Sequence, residues 1–240
     1  MSAFPADFLL SRLLYRDGLM LVIDKPAGLP VHAGPGGGES LEDYFDALRF
    51  GLPNPPALAH RLDRDTTGCL VLGRHAKALR KLGRLFSEGR IEKTYWAISK
   101  GAPERPSGTI DAPLKKIARG TGWCVEIGPR GEEGGQAAVT TYRVLGATDG
   151  LSFIEAKPKT GRTHQIRVHL ASIGCPILGD LQYGDLPAEE RARPMMLHAR
   201  RVVIPISASK PPVVVEAPPP EEMGALIARC GAGGRPGASR

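Results

Sequence analysis

A densely charged segment runs directly into a short apolar one, and this junction constrains the fold more than any other feature. Ala59–Gly68 contains two arginines, two aspartates and a histidine within six residues, and the apolar segment Cys69–Gly73 follows. An apolar run of this length is typical of a buried strand. Thr66–Gly68 favours a tight turn, because hydroxyls bond nearby backbone and glycine tolerates positive φ. The pattern predicts polar groups at the rim of a rigid sheet, although a solvated charged loop also fits it.

The composition fits a globular protein with many turns. The 240 residues include 30 glycines and 22 prolines, which favours short strands, and 42% are hydrophobic. The formal net charge of +7 favours an anionic partner, and nucleic acid is the commonest one. No apolar run is long enough to span a membrane, and no signal peptide is expected.

The cysteines and histidines predict no metal site. Cys69, Cys124, Cys175 and Cys230 are isolated, which suits a reducing compartment, and we expect a cytoplasmic protein. Two histidines of one segment are five residues apart, a poor spacing for two ligands on one helical face. No cofactor is expected either.

Periodicity and breakers predict the elements in outline. We expect strands at Leu19–Ile23, Ile91–Lys100, Val202–Ile206 and Val213–Glu216, paired strands at Ala137–Leu145 and Leu151–Ala156 across a turn at Asp149-Gly150, and helices at Ser40–Phe50, His75–Gly89 and from about His164 to Gly174.

Two basic stretches are candidates for tracking a phosphate backbone. The helix His75–Gly89 carries four cations on one face, and Lys115, Lys116 and Arg119 form a mobile basic loop in this interpretation. A solvated charged surface explains both stretches equally well.

The charged segment also resembles a known motif. His60–Asp63 followed by Thr66–Gly68 resembles the HRLDxxTSG motif of the RluA-type pseudouridine synthases, with Thr67 in place of the usual Ser. Asp24–His32 resembles the family's NKPxGxxVH motif, with Asp24 in place of Asn. Lys93–Ala97 resembles its KxYxA motif.

Three further segments carry the same resemblance. Gly161–His169 resembles GRxHQIRVH at every fixed position. Cys175–Gly184 resembles HPxxGDxxYG with Cys175 in place of His, and Leu197–Ala199 resembles the LHA element. Together the motifs run from about Leu19 to about Pro218, almost the whole chain.

The resemblance implies the fold and domain organisation. It implies an α+β fold with a large, bent, mostly antiparallel mixed sheet flanked by helices. We expect one catalytic domain over residues 1–230 and a disordered basic tail over 231–240.

The resemblance also implies an activity and a site. It implies an isomerase that converts uridines of ribosomal RNA, transfer RNA or both into pseudouridines. The sequence leaves the oligomeric state open, and we expect a monomer. Asp63 would be the catalytic carboxylate, Tyr95 the active-site tyrosine, and Arg167 the partner of Asp63. The target base would flip out of its stack, with Arg61 entering the vacated space. The remaining predicted RNA contacts are His60, Arg162 and His164.

Two other functions fit parts of the sequence. A non-catalytic RNA-binding module would retain the basic surface without the chemistry. A hydrolase would use Asp63 and Asp65 as a carboxylate pair, since residues two apart share one face of a strand. No further sugar-site pattern accompanies that pair.

Overall fold

The structure is a computed structural model, and it describes residues 4–34, 36–120, 122–129, 131, 134–148, 150–184, 193–207 and 209–231. The chain divides into two compact units, one from residues 1–93 with 199–218 and the other from 94–198 with 219–240. The predicted single catalytic domain stays a prediction. The predicted tail beyond Gly231, and Asp149 of the predicted turn, lie outside the described residues.

The first unit is built on antiparallel pairs around a fully buried strand. Four strands are neighbours in the order β1 (Leu13–Arg16), β2 (Met20–Lys25), β4 (Thr67–Gly73) and most of β11 (Leu197–Ile204). Two shorter strands pair with this set: β3 (Ala57–Leu58) with β4, and β12 (Val213–Glu216) with β11. All seven residues of β4 are buried, which explains its continuous apolar run. The predicted strand at Cys69–Gly73 is therefore confirmed and begins two residues earlier, at Thr67.

Three helices accompany this sheet. They are the 3-10 helices Phe8–Arg12 and Leu41–Leu48 and the α-helix α1 (Ala76–Ser87). The helix predicted over Ser40–Phe50 is present as a 3-10 helix, and Asp43 accepts from the backbone N–H of Ser40 at 2.8 Å. Helix α1 buries Leu82 and Leu85, and its cations lie on the exposed side.

The second unit pairs four antiparallel strands and adds a separate hairpin. Strands β5 (Glu92–Lys100), β10 (Leu151–Pro158), β9 (Val139–Thr148) and β6 (Ser107–Asp111) are neighbours in that order, and β7 (Leu114–Arg119) pairs with β8 (Gly122–Ile127). Among the described residues of this unit, the helices are α2 (Gln165–Ser172) and α3 (Glu221–Arg229). Buried side chains of the strands and of both helices form one core, which includes Ile98, Phe153, Leu170 and Met223.

The predicted class is confirmed: the fold is α+β, with a large mixed sheet flanked by few helices. Two local predictions differ from the structure. Lys115, Lys116 and Arg119 lie on β7 rather than on a mobile loop, because backbone pairing with β8 holds a strand that is too charged to show apolar alternation. Helix α3 was not predicted, and only two of its nine residues are buried.

Gly179 is a point where the chain tolerates no side chain. Its φ is +81°, and a Cβ there would overlap the carbonyl oxygen of Pro194 and lie 2.9 Å from the Cα of Met195. Backbone hydrogen bonds hold the two segments together on either side of this contact, since Leu178 donates to Ile98 (2.8 Å) and Met196 donates to Leu178 (2.8 Å).

We expect Gly179→Ala to lower the free energy of unfolding by about 2–5 kcal/mol, through left-handed strain together with overpacking. Gly150→Ala is the matched control, because Gly150 has φ +74° and a Cβ added there would have no atom within 4 Å. It should cost only about 1–2 kcal/mol. Urea unfolding of both variants measures the difference, and equal losses would contradict the steric part of the argument.

Candidate active site

Asp63 lies on a tight turn that leads into β4. The backbone N–H of Thr66 donates to the carbonyl of Asp63 at 3.2 Å. Leu62 and Thr66 are buried on either side, whereas the Asp63 side chain is half-buried. The turn therefore presents a partly accessible carboxylate at the start of a fully buried strand.

A buried lysine ammonium forms hydrogen bonds to the backbone of this turn. The Nζ of Lys25 donates to the carbonyls of Arg64 at 2.7 Å, Pro26 at 2.8 Å and Thr66 at 3.1 Å, and Lys25 is fully buried. An ammonium has three donors, so these three acceptors satisfy it completely. The side chain thereby ties the end of β2 to Arg64 and Thr66, the first and third residues after Asp63.

The charge of Lys25 responds to the acids of the turn. Burial lowers the pKa of Lys25 to about 8, although the nearby charges of Asp65 and Asp63 act in the opposite direction.

A second link joins the same segments, because Gly28 donates its N–H to the carbonyl of Arg64, and the Nε of Arg64 donates to the carbonyl of Gly28, both at 3.1 Å. The segment after β2 is therefore docked on the Asp63 turn.

His60 anchors the other end of the turn. Its Nε2 accepts the backbone N–H of Val71 at 3.0 Å, and its ring stacks on Phe86 with centroids 4.4 Å apart. A ring nitrogen that accepts from an N–H carries no proton, so the imidazole is neutral. Burial, together with the positive charge of Lys93, lowers the pKa of His60 to about 3.

The two arginines of the segment face outward. Arg61 and Arg64 are exposed, and Arg64 forms a loose ion pair with Asp65 at 3.7 Å. Such an exposed pair contributes little to stability. Arg61 is accessible to a ligand, and the RNA contacts predicted for Arg61 and His60 stay predictions.

Arg167 forms a buried, two-pronged ion pair in the second unit. Its Nε and Nη2 donate to the two carboxylate oxygens of Asp180 at 2.7 and 2.8 Å. The Asp180 side chain is fully buried and also accepts the backbone N–H groups of Gln182 (3.0 Å) and Tyr183 (3.2 Å). Burial alone would raise the pKa of Asp180, but the hydrogen bonds and charge of Arg167 outweigh it and hold the pKa below its usual value.

A series of contacts between aromatic side chains continues from this ion pair. The Arg167 guanidinium lies over the Tyr183 ring, 4.9 Å from its centroid. The hydroxyl of Tyr183 accepts the N–H of Val125 at 2.9 Å and lies 2.7 Å from the Nδ1 of His164. His164 has φ +55° and occupies the position just before α2, so its ring projects from the helix start towards the β7–β8 hairpin.

Gln165 fixes the loop that carries Arg162. Its Oε1 accepts the hydroxyl of Thr160 at 2.7 Å and the N–H of Arg162 at 3.0 Å, while its Nε2 donates to the carbonyl of Val139 and the hydroxyl of Thr140, both at 3.0 Å. The buried amide thus connects the loop to β9. Arg162 itself is exposed, with its Nε donating to a backbone carbonyl at 3.1 Å.

The predicted site residues are distributed over both units. Asp63, His60 and Arg61 belong to the first unit, and Tyr95, Arg162, His164 and Arg167 belong to the second. Tyr95 is half-buried on β5, where it pairs with Ala156. The predicted meeting of Asp63 with Tyr95 and Arg167 joins the two units and stays a prediction.

Sequence reasoning missed two residues of the site. Asp180, the carboxylate bound by Arg167, lies in the Gly179-Asp180 pair of a recognised motif, and a buried arginine needs such a partner. Lys25 was noted only as part of a turn motif. A lysine at the end of an apolar strand is a usable signal, because it must find acceptors where the strand buries it.

Comparison with known proteins agrees with these motifs. A sequence model described as RNA pseudouridylate synthase matches residues 19–172. An RNA pseudouridine synthase of Zymomonas mobilis is 45% identical over 215 residues, covering 89% of this chain and 95% of that one. The mitochondrial pseudouridylate synthase RPUSD4 of Xenopus tropicalis is 34% identical over 250 residues, covering 88% of this chain and 77% of that one.

Solved structures show the same relationship. Human RNA pseudouridylate synthase domain containing 4 superposes with a TM-score of 0.79 at 30% identity, covering 94% of this chain and 95% of that one. Human RNA pseudouridylate synthase domain containing 1 gives 0.73 at 30% identity, covering 97% and 90%.

The chain belongs to the RluA-type RNA pseudouridine synthase family. The predicted family and enzyme class, an isomerase, are confirmed. Among the described residues, no helix has the length and apolar character needed to cross a membrane.

We expect the stability of the wild-type protein to fall as pH drops below about 6.5, in part through His60. The unfolded histidine takes up a proton below its ordinary pKa of about 6.5, whereas the folded ring stays neutral until about pH 3. The unfolded state therefore binds more protons across this window, and the stability supplied by His60, complete above about pH 6.5, is lost progressively.

His60→Gln tests this expectation, because the glutamine retains an acceptor for the N–H of Val71 but does not titrate. Urea midpoints measured between pH 7.5 and 5.5 should decline less steeply in the variant than in the wild type. Identical slopes for the two proteins would contradict the assignment of a neutral imidazole.

We expect Asp180→Asn to lower the free energy of unfolding by about 3–5 kcal/mol, because it leaves the buried Arg167 charge without its carboxylate. The matched control is Asp46→Asn, which breaks the exposed pair with Arg49 and should cost less than about 1 kcal/mol. Urea unfolding at pH 7 compares the two. A loss at Asp180 no larger than the control would show that the buried pair is not needed.

Proposed function

We propose that this protein isomerises specific uridines of ribosomal or transfer RNA to pseudouridine, with Asp63 as the catalytic carboxylate. The observation that carries the proposal is the Asp63 turn itself. Its carboxylate is half-exposed, while a buried ammonium, a buried threonine and a neutral imidazole fix the backbone around it. A positioned carboxylate on a rigid support is what covalent or electrostatic catalysis at a ribose or base requires.

The reaction rearranges one nucleotide without adding or removing atoms. The bond between the ribose and the ring nitrogen breaks, the uracil turns, and a bond from the same ribose carbon to a ring carbon forms. The proton on that ring carbon leaves and the ring nitrogen gains one, so no redox cofactor is required. The carboxylate of Asp63 acts as a covalent or electrostatic partner of the sugar or base during the exchange. Tyr95 assists removal of the carbon-bound proton.

The target nucleotide must leave its stack to reach such a carboxylate. Unstacking costs a few kcal/mol, and contacts made to the opened strand offset that cost. Arg61 is exposed and lies two residues before Asp63 on the same turn. In the proposal its guanidinium plane stacks in the vacated space. Arg162 and His164 provide further RNA contacts.

Location and assembly belong to the same proposal. We propose a cytoplasmic, monomeric enzyme. The four cysteines are buried free thiols, which suits a reducing compartment. The mitochondrial location in the name of the Xenopus relative is a property of that protein.

We expect Asp63→Asn to reduce pseudouridine formation by about 10⁴-fold or more, the scale typical of removing a nucleophile, while RNA binding remains. Tritium release from transcripts labelled at carbon 5 of uridine measures turnover, and filter binding measures affinity. Asp65→Asn, at the half-buried carboxylate two residues on, is the matched control and should retain activity.

The same assay separates the other two functions. If the protein is a non-catalytic RNA-binding module, the wild type will bind labelled RNA but release no tritium. A hydrolase using Asp63 and Asp65 would release free uracil, which chromatography detects, and would fail in both variants. Mapping pseudouridines in cellular ribosomal and transfer RNA with and without the protein then identifies the target. Full turnover by a folded Asp63→Asn enzyme would falsify the assignment.

A further inference from the structure

A basic cavity opens between the β7–β8 hairpin and the loop before α2, within the second unit. It has a volume of about 290 Å³. Leu114 and Val125 form part of its wall, and Lys115, Lys116 and Arg162 contribute three cations. Lys116 and Arg162 are exposed, so their charges lie at the solvent side of the cavity. At the small end of ligand sites, this volume suits a phosphate with part of a sugar.

The cations stand on backbone that is held in place. Leu114 and Gln136 exchange both backbone hydrogen bonds, at 2.9 and 2.8 Å. The Nε of Arg162 donates to the carbonyl of Ala137 at 3.1 Å, which fixes its head group beside the same segment. One carboxylate competes with an incoming anion, because Glu126 pairs with Lys115 in the strand register. Among the described residues that line the cavity, three are cations and none is an acid.

An exposed tryptophan stands beside this cavity. Trp123 is 41% exposed, lies diagonally across the hairpin from Lys116, and carries the Lys116 ammonium 4.1 Å from its ring centroid. The His164 ring stacks on it with centroids 5.0 Å apart and planes 26° from parallel. Its own carbonyl accepts a hydrogen bond from Gln182 at 2.9 Å. A rigid aromatic beside several cations is the combination that binds single-stranded nucleic acid.

The tryptophan is joined to the predicted catalytic arginine by direct contacts. The series runs from Trp123 to His164 by stacking, to Tyr183 by a 2.7 Å hydrogen bond, and to Arg167 by a cation–π contact. The cavity and the tryptophan therefore belong to the surroundings of a residue in the predicted site.

We propose that the hairpin and the cavity form a subsite for a nucleotide that flanks the target uridine. The phosphate lies in the cavity among Lys115, Lys116 and Arg162. The Lys116 ammonium, which lies over the Trp123 ring in the free protein, moves to the phosphate, and the base stacks on the ring face that it leaves. The occupant is a single RNA strand, because a base can stack on a protein side chain only after it has left its own helix. The inference rests on the proposed function for its biological meaning, but binding tests it separately.

The first experiment measures binding of a fluorescein-labelled 12-nucleotide oligouridylate to the full chain. Trp123→Ala should weaken binding by roughly 5- to 150-fold, the loss that corresponds to one stacked base. Trp123→Phe retains a ring, so it should bind nearly as the wild type while losing the tryptophan quenching that accompanies binding. Leu10→Ala is the control for an exposed apolar side chain (42% exposed) and should bind as the wild type.

The second experiment measures the charge of the site. Lys116→Ala and Arg162→Ala should each reduce the slope of log Kobs against log salt concentration by about 0.7, the value for one phosphate contact on a single strand. Lys210→Ala removes an exposed lysine of the first unit and should leave the slope unchanged. Poly-glutamate is the competitor that tests for an unspecific basic surface.

The outcomes are distinguishable. Weaker binding in Trp123→Ala, rescue by phenylalanine and reduced salt slopes support the subsite. Wild-type pseudouridine formation with unchanged binding by Trp123→Ala and Lys116→Ala overturns the subsite and leaves the proposed function intact. Displacement of the RNA by poly-glutamate with no effect of Trp123→Ala also overturns it. A wild type that binds through Trp123 but forms no pseudouridine supports the subsite and overturns the proposed function.

Discussion

The Asp63 turn depends on one buried ammonium. Placing a lysine charge inside a protein is costly, and it is tolerated only when the charge and every donor find partners. Lys25 meets that condition with three carbonyls, two of which belong to residues that directly flank Asp65. The ammonium can be satisfied only when the turn adopts this conformation. The hydrogen bonds that offset the burial of Lys25 therefore also fix the backbone that carries Asp63.

The second unit also buries a cation, and there the cation is an arginine. The guanidinium of Arg167 is planar, and its two parallel donors match the two oxygens of one carboxylate, which orients both side chains. Lysine meets carbonyls that converge from three directions on a point charge. Neither cation would serve in the other place. The arginine retains its flat face for Tyr183, so the ion pair also sets the orientation of His164.

Local patterns made part of this arrangement predictable. Strands β2, β4, β9 and β10 and helices α1 and α2 follow from apolar runs, periodicity and glycine breakers. Strand β7 did not follow, because its alternation is hidden by charged residues and only pairing with β8 defines it. Two partners of Lys25 lie 39 and 41 residues away, the partner of Arg167 lies 13 residues away, and His60 reaches Val71 across the turn. Such contacts depend on the fold rather than on neighbouring residues, so the motifs named candidate site residues without showing which of them bind each other.

Burial separates the residues that hold the site from those that can meet RNA. In the Asp63 segment, Leu62 and Thr66 point inward while Arg61 and Arg64 point outward. Before α2, Arg162 and Thr163 are exposed, and Gln165 and Arg167 are buried. The inward residues form bonds inside the protein and have few donors left for a base, so they can fix the chemistry but cannot read a sequence. In the proposed function, selection of one uridine among many then falls to exposed groups. The β7–β8 hairpin, with a tryptophan and cations on a fixed backbone, suits holding a strand in place, because phosphate contacts and stacking position RNA without reading its bases.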